Sequence, residues 1–153
     1  MKMVRSAVIA CLLLLTGFFV SYIIYNHTVS AQKDLYGNEL GIIMKSLQLY
    51  QLDNSISDQL YNEMTADSDA ERNRLLTQIL LGHDNKYNPK SVNYLGGTVI
   101  GADSKYLRDP SGEMYSISIS KGKSGESLFE VSSPKSPIVG RFKNLREYEL
   151  TIK

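Results

Sequence analysis

SAVIACLLLLTGFFVSYIIY, Ser6 to Tyr25, is an apolar run without a charged side chain, entered from Lys2 and Arg5. Wound as a helix at about 1.5 Å per residue, it spans roughly 30 Å, the hydrocarbon thickness of a bilayer. The run predicts contact with membrane lipid through Ser6 to Tyr25 and divides the chain at that point. Basic residues precede it and none follows directly, which predicts a cytoplasmic amino terminus and export of Asn26 to Lys153. The expected topology is a single-pass membrane protein whose carboxy-terminal domain is exported.

Two fates of the run are open, a retained anchor and a cleaved secretory signal. Val29, Ser30 and Ala31 form a small-residue cleavage site that would release a domain beginning at Gln32. A secretory apolar region is usually about 7–15 residues, and this longer one favours the anchor. Cys11, the only cysteine, lies near the start of the run rather than at its end, where a lipid-modified cysteine would stand. It reads as a small side chain within a membrane helix and leaves the exported part without a disulfide. Asn26, His27 and Thr28 match a glycosylation sequon set against the membrane.

The exported part has about 120 residues, enough for one small domain with a modest core. Two of the 17 basic residues precede the run, leaving 15 against 16 acidic ones and a formal charge of about −1. So even a balance gives no electrostatic footprint for nucleic acid or anionic lipid.

Immediately beyond the run, Gln32 to Asp53 continues as helix. Tyr36, Leu40, Ile43, Leu47 and Tyr50 recur at alternating spacings of four and three, placing them on one stripe. This stripe is a candidate partner-helix interface, and equally the face the helix would lay on its own sheet. Ile42, Met44 and Leu49 widen it beyond a strict coiled-coil seam. Gly37 and Gly41 weaken the helix and suggest a bend where it leaves the bilayer; as a GxxxG pair they lie outside the apolar run. Asn54 to Ala66 predicts a second, short helix. Ser68 with Glu71 makes a capping box for a third, carrying Leu75, Leu76, Ile79, Leu80 and Leu81 and closed by Gly82. Its charged first turn reads as a solvated face suited to the helix dipole.

After His83 the punctuation changes to Asn, Pro, Gly and Ser between short β-prone runs. Val92 to Leu95, Thr98 to Ile100, Met114 to Ser120, Ser127 to Ser133 and Tyr148 to Ile152 are the predicted strands. Tyr115, Ile117 and Ile119 alternate with serines, as in a strand with one buried face. Lys121 to Glu126 predicts a hairpin loop, and Asp109, Pro110, Ser111 and Gly112 a type I turn. The plan is α+β: a long membrane-spanning helix, one or two short helices, then a small antiparallel sheet. Residues 1–31 form the anchor, 32–53 its amphipathic continuation, and 54–153 the exported α+β domain.

Motifs of chemistry are weak. Gly122, Lys123 and Ser124 end like a phosphate loop, but Ile117 stands where its first glycine belongs. His83 beside Asp84 has only His27, at the membrane, as a further histidine, and a metal needs three or four convergent donors. Asp103 and Asp109 lack the dense acidic loop that calcium binding uses. No GxSxG elbow or exported cysteine offers a nucleophile. No catalytic, cofactor or metal residue is therefore assigned, and a non-enzymatic role is expected.

The apolar helix running into an amphipathic one, the capped helix ending LLGHD, and the segments NPKSVNYL and YLRDPSGEMYSI together resemble the type II secretion major pseudopilin and its pilin-like relatives. In that family a leucine, Asp-Pro-Trp-Gly and a following tyrosine make the turn into the carboxy-terminal sheet. Here Asp109, Pro110, Gly112 and Tyr115 match, and Ser111 replaces the tryptophan. The resemblance implies a pilin-like fold and partners among other pilin-like or secretion-system proteins. The chain departs from the family in its processing signals: Gly17 and Phe18 follow a hydrophobic leader, and Tyr22 stands where the family has a glutamate. Cleavage there would leave too few apolar residues to span a bilayer. The family's acidic calcium loop is replaced by Ser133 to Gly140, so no metal is implied. The expected function is a pseudopilin-like structural or assembly component. The alternatives are a monomeric membrane-anchored periplasmic binding or adaptor protein with the same fold, and a secreted domain.

Overall fold

The computed structural model describes residues 2–96, 105–144 and 147–152, and the chain forms two compact units, Met1–Asp34 and Leu35–Lys153. Helix α1 (Lys2–Asp53) supplies residues 2–34 of the first unit and opens the second. In the first unit the apolar side chains from Leu13 to Tyr25 are exposed, Phe18 at 76%. Among the described residues α1 is the one helix long and apolar enough to cross a membrane. Such a surface is unfavourable in water, whereas a helix satisfies its own backbone in lipid.

The second unit adds α2 (Asp58–Ala66), α3 (Asp69–Leu81) and four strands, β1 (Ser116–Lys121), β2 (Ser127–Ser132), β3 (Ile138–Asn144) and β4 (Glu147–Ile152). The strands form one antiparallel sheet in the order β1-β2-β3-β4. The chain is thus α+β. The unit begins at Leu35, so the amphipathic stretch belongs to the folded domain rather than standing apart from it.

Local chemistry sets the element ends. The second helix begins at Asp58 rather than Asn54. Ser57, in extended backbone, accepts the Leu60 N–H at 3.1 Å, while Asn54 turns its amide back to the Tyr50 carbonyl at 3.2 Å. The capping box of α3 forms as the sequence predicts: Glu71 N donates to Ser68 Oγ at 3.4 Å and Ser68 N to Glu71 Oε2 at 3.3 Å. Gly82 ends the helix with φ +78°, and a Cβ there would lie 2.6 Å from the Ser91 carbonyl oxygen. Only glycine fits that turn. The helix α1 runs through Gly37 and Gly41 without a break, so neither glycine interrupts it.

Three of the expected strands are present as β1, β2 and β4, with their ends shifted. Ile117 pairs with Val131 and Ile119 with Phe129, apolar side chains inward and serines outward. The Lys121 to Glu126 loop closes the hairpin through Gly122 N to Glu126 O at 2.7 Å, so Gly122, Lys123 and Ser124 serve as a turn. Val92 to Leu95 is not a strand. Its polar backbone is claimed by the Asn88 side chain, which bonds both N and O of Val92, and by Tyr94 N donating to Leu80 O at 2.8 Å. Thr98 to Ile100, together with Asp103, lies outside the described residues. One strand escapes the sequence reading: β3 occupies Ile138–Asn144, so Ile138 to Gly140 is sheet rather than the loop expected from Ser133 to Gly140.

The core lies where α1 crosses the sheet. Leu40, Ile43, Met44 and Leu47 are fully buried, alongside Phe129 and Val131 from β2 and Phe142 from β3. Helix and sheet approach closely at Gly140, where a Cβ would stand 2.8 Å from Met44 Cγ and Sδ. Leu60 and Met64 of α2 and Leu76, Ile79 and Leu80 of α3 complete the cluster.

Candidate functional site

The stripe Tyr36, Leu40, Ile43, Leu47 and Tyr50 is brought together, but inside the molecule, at 7, 0, 0, 0 and 1% exposure. It is core, and the partner-helix role offered for it in the sequence has no surface on which to act. Tyr50 also donates its hydroxyl to the Tyr87 carbonyl at 2.9 Å, and burial pushes its pKa up to about 12, keeping it a neutral donor.

The opposite face of the same helix is different. Leu35, Ile42 and Leu49 are exposed at 49, 39 and 44%, each seven residues from the next. Seven residues of an α-helix fall about 20° short of two full turns, so the three form one slowly drifting row. Asn38, Lys45 and Leu52, each three residues further on, are also exposed and sit beside it. Together they have the a and d spacing of successive heptads, apolar at Leu35, Ile42, Leu49 and Leu52 and polar at Asn38 and Lys45. The sequence contains this spacing, but the denser stripe on the other face masks it. Only burial separates the two.

The Asp109, Pro110, Gly112 and Tyr115 segment is held from several sides. Gly112 N donates to Asp109 O at 2.8 Å, closing the turn, and Tyr115 is buried. The Asp109 carboxylate, also buried, accepts Ser111 N and Glu113 N at 2.9 Å each, the Ser111 hydroxyl at 2.7 Å, and the Ser133 hydroxyl. It thereby ties the turn to the end of β2. Asn73 of α3 fastens the same segment from the other side, donating to Leu107 O at 2.9 Å and Tyr115 O at 2.7 Å and accepting Leu107 N at 2.7 Å. Sequence reasoning passed over Asn73: its only signal is a polar pair, Asn73 and Thr77, one turn apart on the face that carries Leu76 and Leu80.

Burial opposes ionisation of Asp109, but the donors from Ser133, Ser111 and Glu113 outweigh it and hold the carboxyl below the usual aspartate range. A folded-state pKa below the unfolded one, about 3.9, contributes stability that is fully present above that value and lost as pH falls through the folded pKa. Thermal melts of the wild type and Asp109→Asn should therefore differ most at neutral pH and converge as pH is lowered below about 4. A gap that stays constant down to pH 2 would contradict an ionised Asp109. Glu39 acts in the opposite sense. Burial and then the Asp109 charge raise its pKa, so its ionisation costs stability as pH rises through the folded value.

His83 is exposed just past α3, and Asp84 accepts Lys86 N at 2.9 Å and Tyr87 N at 3.1 Å, ordering a turn. Among the described residues no three His, Cys, Asp or Glu side chains gather as a metal would require. A cleft beside Gln51, Asn54 and Lys121 has a volume of about 210 Å³. Small-molecule pockets are usually larger, about 300–1,000 Å³.

Comparison with known proteins finds no family model, curated protein or solved structure that matches this chain.

Proposed function

We propose that this chain is a non-enzymatic, pseudopilin-like assembly component, anchored by α1 in the inner membrane with its α+β domain on the far side. The observation that carries the reading is the exposed row on α1, where Leu35, Ile42, Leu49 and Leu52 stand 49, 39, 44 and 61% exposed along one side of the helix. Three further features support it. The helix that bears the row is apolar enough in its first part to cross a bilayer. Val29 to Ala31 lie within that helix, which favours the retained anchor over a cleaved signal. The Asp109 to Tyr115 turn enters a four-stranded antiparallel meander, as the pilin-like resemblance implies.

A second reading, a monomeric membrane-anchored adaptor with a pilin-like fold, is favoured by Tyr22 in place of the family's glutamate and by the missing polar leader. Cross-linking in native membranes separates the two. With Cys11 replaced by serine and Leu49→Cys as the only thiol, a maleimide–diazirine linker attached there and photoactivated should yield an adduct heavier than the 17.2 kDa chain, whether or not the neighbour carries a thiol. Adding Ile42→Lys with lysine at a third row position, Leu35→Lys, should abolish the adduct while circular dichroism stays unchanged. Recovery of the monomer alone, from a chain without the lysines, would favour the adaptor.

A further inference from the structure

We draw no further inference here: the strongest candidate, the edge strand β4 with its exposed Leu150 and Ile152, carries no proposal because nothing in the structure shows what covers that apolar edge.

Discussion

Leu47→Asp is expected to unfold the second unit, abolishing its cooperative thermal transition and its near-ultraviolet circular dichroism. Leu47 is fully buried in the core formed by α1 and the sheet. The change removes a packed leucine, about 2–5 kcal/mol in large-to-small core substitutions. It also places a carboxylate where no cation is in the cluster to meet it, a further cost of several kcal/mol even if the acid is driven to its neutral form. Together these approach the whole stability of a domain of this size, roughly 5–15 kcal/mol. Leu49→Lys, two residues on, replaces a side chain that is 44% exposed and should shift stability by no more than about 0.5 kcal/mol. The pair forms a sharp comparison. One helix carries a face that holds the fold and a face that is exposed, and a Leu47→Asp chain that melts like wild type would show that the stripe is not core.

Asn73→Leu is the second large effect. The leucine keeps the branching of the asparagine but puts bulkier methyl groups where its amide stood and offers no hydrogen bonds to the 107–115 segment. Leu107 N keeps Thr77 Oγ1 at 3.1 Å, and Leu107 O keeps Tyr115 N at 3.1 Å, so these two groups are only partly deprived. Tyr115 O loses its 2.7 Å partner inside the protein. A buried, unsatisfied backbone group costs about 1–3 kcal/mol, and with the weakened bonds to Leu107 the total is about 2–4 kcal/mol. That should lower Tm by on the order of 10–15 °C, measurable by calorimetry. Hydrogen exchange should localise the loss: the amides of Leu107 and Tyr115 should exchange much faster, whereas those of β3 and β4 follow only the global change. A variant with unchanged Tm would mean that another group satisfies Tyr115 O.

Much of the local structure was legible because its causes are local. Ser68 and Glu71 cap α3 through atoms three residues apart, Gly82 ends it through its own φ, and the serine alternation of β1 states which face is buried. The misreadings share a different cause. Val92 to Leu95 has the composition of a strand, but Asn88 and Leu80 take its backbone bonds before any strand can. Strand β3 contains Gly140, a poor strand former, which is tolerated there because Met44 of α1 packs into the space a side chain would fill. Leu80 and Met44 lie far along the chain from Tyr94 and Gly140, and only Asn88, four residues before Val92, acts locally.

The sequence by itself determined the long apolar helix, the α+β class, the caps of α3 and the turns at 109–112 and 121–126, since each depends on spacing and backbone chemistry within a few residues. The tertiary structure alone decided which of two apolar rows on α1 is core and which is surface. Both rows satisfy helical periodicity, and periodicity cannot say where the sheet lies. Leu40, Ile43 and Leu47 are taken into the cluster that includes Phe129, Val131 and Phe142 of the sheet, and Leu35, Ile42 and Leu49 are left exposed.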